Sequence, residues 1–150
     1  MKKFRLGIVS FSDPRAVEGI GEIDRRGVQS QGRLVKKLRA AGFECRVPFG
    51  DSCINSREKA EKAVRELLAR DVEALVFGCW KWTDPMLAVD VARKVDRPLL
   101  LYGDDDESST PLGCIAAVGA ALWEIAPNEN AARHARLLGR SEERRVRERV

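Results

Sequence analysis

Short apolar runs alternate with longer amphipathic stretches along this chain, and that alternation constrains its fold more than any other feature. Residues 4–11 carry Phe4, Leu6, Ile8, Val9 and Phe11 and run into Ser12-Asp13-Pro14, which suits a buried strand ending in a turn. From about residue 24 to residue 41, Val28, Leu34, Val35 and Leu38 recur at helical spacing among lysines and arginines, and Gly42 is placed to stop the helix. A second strand over 43–47 precedes a helix opened by Ser56 and running through Val64 and Leu67 to Arg70. Residues 72–77 are nearly all apolar, as a central parallel strand covered on both faces requires. Pro85 suits the first turn of a third helix, to Val95, and Arg97-Pro98 leads into a fourth strand over 99–102. The small-residue run 113–121 reads as a closely packed helix ending near Ile125, and Arg136-Leu137-Leu138 as a fifth strand before a terminal helix.

Five such steps with right-handed crossovers specify an α/β domain, a flavodoxin-like three-layer sandwich around a parallel five-stranded sheet. The 150 residues suffice for one core, with the domain assigned to 1–140 and the start of a terminal helix to 141–150. No apolar run approaches the ~20 residues of a membrane span, and no signal-peptide pattern follows Met1, so a cytoplasmic address with no membrane partner is expected.

Charge and composition remove several function classes. The net charge of +4 equals the excess of seven arginines over three glutamates after residue 132, so the rest of the chain is neutral and nucleic acid is not an expected partner. Cys45, Cys53, Cys79 and Cys114 form no CxxC pair and read as reduced, mostly core thiols. His134 is the sole histidine and there is no GxSxG elbow, which sets aside triad hydrolases. There is also no GxxxxGK[ST] loop and no complete dinucleotide fingerprint.

Ligands of parallel α/β sheets sit beyond the carboxyl ends of the strands, which directs attention to the loops there. In the first, Asp13 and Arg15 with Ser10 and Ser12 offer a carboxylate, a guanidinium and hydroxyls suited to a polyol or a carboxylate; Asp13 equally suits a turn or cap. The loop after the third strand holds Trp80 and Trp82 close together. An aromatic face packs on the C–H face of a sugar, while a tryptophan also serves to plug the end of a sheet and Asp84 to cap the next helix; one tryptophan is assigned to each role. The run Asp104-Asp105-Asp106-Glu107 has the hard oxygens a divalent cation prefers, but adjacent acids point in different directions and the run reads as solvated loop.

Gly7-Ile8-Val9-Ser10-Phe11-Ser12-Asp13-Pro14-Arg15, Gly78-Cys79-Trp80-Lys81-Trp82-Thr83-Asp84-Pro85 and Tyr102-Gly103-Asp104-Asp105-Asp106, in this order, resemble the N-terminal domain of the L-fucose/L-arabinose isomerase family, and the likeness continues through residues 120–125. The resemblance implies a flavodoxin-like substrate-binding and assembly domain of an aldose–ketose isomerase, with a monosaccharide substrate and with the remaining isomerase domains and neighbouring subunits as partners. It implies that Arg15 hydrogen-bonds sugar hydroxyls and that Trp80 stacks on the sugar; Asp13, Trp82 and Asp84 are added from their local chemistry. No residue here is expected to transfer a proton. The family's divalent metal, Mn2+ or a similar ion, is held by two carboxylates and a histidine of later domains, so no cofactor is expected in this chain, which reads as a fragment and is expected to be inactive alone. The alternative from another functional class is a free-standing flavodoxin-like module that binds a small ligand or a protein without catalysis.

Overall fold

The structure, a computed structural model, describes residues 2–13, 20–80, 83–103 and 110–125. Strands β1 (Arg5–Ser10), β2 (Glu44–Arg46), β3 (Ala74–Gly78) and β4 (Leu99–Tyr102) alternate with helices α1 (Ile20–Ala40), α2 (Arg57–Ala69), α3 (Pro85–Val95) and α4 (Thr110–Ile125). The strands form one parallel sheet in the order β2-β1-β3-β4. The described sheet therefore has four strands where five were expected. The fifth, over 136–138, lies outside the described residues, as do the terminal helix and the boundary at 140. No helix among the described residues is long and apolar enough to cross a membrane.

The boundaries follow from local chemistry. Helix α1 begins earlier than the apolar spacing predicts because Glu22 in its first turn pairs with Arg26 at 2.7 Å, an i,i+4 contact that supports a turn containing Gly21. Its end is a Schellman cap: Gly42 at φ 96° donates its N–H to Arg39, and Phe43 donates to Leu38. Helix α2 closes in the same way with Asp71 at φ 48° as the left-handed residue, and the Arg5 guanidinium holds that turn through the Asp71 carboxylate at 2.8 Å and its carbonyl at 2.7 Å. Because this turn takes up residues 70–73, β3 starts at Ala74 instead of Val72. Pro111 falls in the first turn of α4, where no backbone N–H is needed, so that helix starts before Gly113.

Strand alternation distributes the core over two faces. Leu6, Ile8, Cys45 and Val76 pack with Leu34 and Val35 of α1. On the opposite face Val9, Phe11, Leu75, Phe77 and Leu99 meet the layer in which α2 packs on α3 and α3 on α4. Phe11 and Phe77 make an edge-on pair with centroids 4.9 Å apart. The chain order reverses between β1 and β3, whose carboxyl ends, Ser10 and Gly78, lie side by side in register. This is the topological switch point, where an open parallel sheet leaves a crevice for a ligand.

Candidate functional site

A chain of buried hydrogen bonds ties together the elements that meet at the switch point. The Trp80 indole Nε1–H donates to Ser10 Oγ at 2.8 Å, and Ser10 Oγ in turn donates to Gln31 Oε1 at 2.7 Å. Gln31 Nε2 then donates to the Phe49 carbonyl, also at 2.7 Å. One polar path thus joins the loop after β3, the end of β1, the middle of α1 and the loop after β2. Each group in it is satisfied, which is what permits so many polar atoms at a site where Ser10 and Gln31 are both only 2% exposed.

Trp80 itself is 4% exposed. Its ring lies over Gly78 and Gly27 and meets Tyr102 edge-on at 5.5 Å. Gly78 is required by this packing, since a Cβ there would stand 2.5 Å from the indole nitrogen, and Gly27 fits closely, a Cβ there standing 3.2 Å from Cδ1. Trp80 is thereby placed as the tryptophan that plugs the sheet end. Stacking on a sugar would require its indole to leave Ser10 and this enclosure.

Directly beyond the relay, the first and third loops meet. Phe11 and Ile54 form a bridge, Ser12 N–H donates to the Ile54 carbonyl, and the Thr83 hydroxyl donates to the Ser12 carbonyl at 3.4 Å. Ser12 Oγ is buried and has no hydrogen-bond partner among the described residues. Asp13 follows it, 9% exposed. Asp84 caps α3, accepting the Met86 N–H at 2.9 Å, with Pro85 in the first turn of that helix. The structure thus brings Thr83 onto Ser12, with the buried Asp13 next in the chain, gives Asp84 its capping role and encloses Trp80. Arg15, Trp82 and the acidic run 104–107 lie outside the described residues.

All four cysteines are buried and free. Burial raises the Cys45 thiol, whose S–H lies 4.0 Å from the Val35 carbonyl. Cys53 is pushed up to about 12 by burial and by the nearby Asp24 carboxylate, against the opposing pull of Lys59. Cys79 and Cys114 share the same buried core cluster. Interaction with Cys114, with burial, raises the Cys79 thiol, whereas interaction with Cys79, aided by the Thr83 backbone and opposed by burial, lowers Cys114. Among the described residues no three His, Cys, Asp or Glu side chains come together as a metal-holding group.

Sequence reasoning missed the relay and the thiol pair. The signal for Gln31 was available: it stands three residues after Val28 and three and four before Leu34 and Val35, a polar residue on the buried stripe of α1. Cys79 and Cys114 are 35 positions apart, and only the docking of α4 against the sheet brings them into one core cluster. No protein-family model matches the chain, and no curated protein matches it in sequence.

Proposed function

We propose that this chain is a flavodoxin-like substrate-binding and assembly domain of a metal-dependent aldose–ketose isomerase, of the kind its loop motifs resemble. The observation that supports this most is the contact of Thr83 with Ser12 beside the β1/β3 switch point, where the buried Ser12 hydroxyl has no hydrogen-bond partner among the described residues. The hydroxyls of Ser12 and Thr83 and the carboxylate of Asp13, all at strand ends, are the kinds of donor and acceptor that a polyol requires. In this reading Trp80 positions the third loop from below through Ser10, while Arg15 and Trp82 supply the guanidinium and the aromatic face that a sugar uses. In this reading the parallel sheet has five strands, the fifth from residues 136–138.

The divalent metal that polarises the sugar's carbonyl and hydroxyl oxygens belongs, in this reading, to other domains. This chain binds and orients; it does not move the proton. The test is titration of the chain with L-fucose and L-arabinose, followed by backbone amide and indole NMR. Saturable shifts at Ser12, Asp13 and Thr83, weakened in Asp13→Asn and Thr83→Val, support the reading. No shift at any of the three at high sugar concentration refutes it.

A further inference from the structure

We propose that Asp24 is a second hydroxyl-binding residue of the β1/β3 site, its carboxylate taking a hydrogen bond from the same polyol that Ser12 engages. This inference rests on the sugar reading and adds to it a residue from α1. Three observations carry it, and the first is placement. Gly27 of α1 faces Trp80 and Cys53, and Gln31 faces Ser10 and Phe49. Asp24 stands three positions before Gly27 and seven before Gln31, so it continues the same inward stripe by one turn toward the start of the helix. Because α1 follows β1, that start lies at the carboxyl end of the sheet, where ligands bind.

The second observation is an unmet acceptor. Asp24 Oδ1 is buried and has no hydrogen-bond partner among the described residues. Such an oxygen is costly to bury without a donor, and the cation beside it is engaged differently: the Lys59 ammonium donates to the Cys53 carbonyl at 3.2 Å and lies over the Phe49 ring. The third is a link to Ser12. The Asp24 carbonyl receives the Cys53 S–H at 3.9 Å, and the carbonyl of the next residue, Ile54, receives the Ser12 N–H at 3.0 Å. Two consecutive residues thus join Asp24 to Ser12, which is 2% exposed and whose hydroxyl also has no partner among the described residues. A carboxylate only accepts, whereas a serine hydroxyl both donates and accepts. A polyol with hydroxyls on neighbouring carbons supplies a donor to Asp24 while another of its hydroxyls exchanges a hydrogen bond with Ser12, and the charge-assisted bond to Asp24 is the stronger of the two.

The experiment titrates the wild-type chain, Asp24→Ala and Asp24→Asn with L-arabinose and L-fucose, follows the backbone amides by NMR, and unfolds each chain in urea without sugar. In the wild-type chain the Asp24 and Cys53 amides should shift along the same saturation curve as Ser12. Asp24→Ala should weaken binding about tenfold or more, and Asp24→Asn, which keeps one acceptor oxygen, by less. The urea midpoint of Asp24→Ala should stay close to that of the wild-type chain, because Oδ1 makes no hydrogen bond to the described residues. Wild-type affinity in Asp24→Ala, with Ser12 and Thr83 still shifting, overturns this inference and leaves the sugar reading standing. No shift at Ser12, Asp13 or Thr83 in the wild-type chain refutes the reading and the inference together. A urea midpoint lowered in Asp24→Ala as far as in Ser10→Ala assigns the carboxylate a structural role and also overturns the inference.

Discussion

Replacing Ser10 with alanine removes one oxygen and leaves two buried groups without partners, the Trp80 indole N–H and Gln31 Oε1. Water has little access to replace it, since Ser10, Gln31 and Trp80 are all buried. Each orphaned group costs about 1–3 kcal/mol, so the substitution should destabilise the fold by roughly 3–4 kcal/mol, a large part of the ~5–15 kcal/mol typical of a domain. Two residues along the same chain stands the built-in control. Ser12 Oγ is equally buried but has no partner among the described residues, so Ser12→Ala loses no bond to them and should leave stability unchanged or raise it by up to about 1 kcal/mol. Urea unfolding followed by far-UV circular dichroism measures both, with the slopes compared to confirm that only the midpoint moves. Adding Gln31→Leu to Ser10→Ala should cost less than the sum of the two single changes, because both act on one bond. A Ser10→Ala cost below about 1 kcal/mol, or an equal cost for Ser12→Ala, refutes the idea that the relay holds the loops.

Two further perturbations address the same end of the sheet. Gly78→Ala puts a methyl group 2.6 Å from Ser10 Oγ and 2.5 Å from the Trp80 indole nitrogen, so it should displace the indole and lose the relay together with its packing, a cost of at least about 3 kcal/mol by urea unfolding; a near-neutral result would contradict the tight stacking of Trp80 on β3. The Cys53 thiol, raised from 9.0 to about 12, is protonated in the folded chain at pH values where the unfolded chain ionises, so its contribution is complete below pH 9 and disappears as the pH rises through about 12. Between pH 8 and pH 10 the chain should lose about 1–2 kcal/mol more stability than Cys53→Ala does, read from urea midpoints; parallel pH profiles would refute the burial of this thiol.

Much of the architecture was legible because parallel strands announce themselves. Residues 72–77 and 99–102 are apolar on both faces, and Pro85 and Gly42 mark a helix start and stop whose chemistry does not depend on distant contacts. Boundaries were less legible where tertiary contacts decide them. The left-handed Asp71 that delays β3 is held by Arg5, 66 residues away. At the site, the sequence pointed to the strand-end loops that meet around the β1/β3 switch point, and the Asp84 cap was visible in Asp-Pro spacing. It did not say which way Trp80 turns. That is decided by two glycines, Gly27 and Gly78, that leave room for an indole, and by a serine and a glutamine positioned to satisfy its N–H. That Cys79 and Cys114 share one core cluster depends on how α4 docks, which no local pattern encodes.

The sugar-binding reading meets its most direct test in the amide and indole NMR titration of this chain with L-fucose and L-arabinose. The account predicts saturable shifts centred on Ser12, Asp13 and Thr83, while the Trp80 indole N–H keeps its hydrogen bond to Ser10 and remains protected from exchange. A titration that leaves all three residues unmoved, or one that shifts only residues away from the β1/β3 crevice, would contradict it.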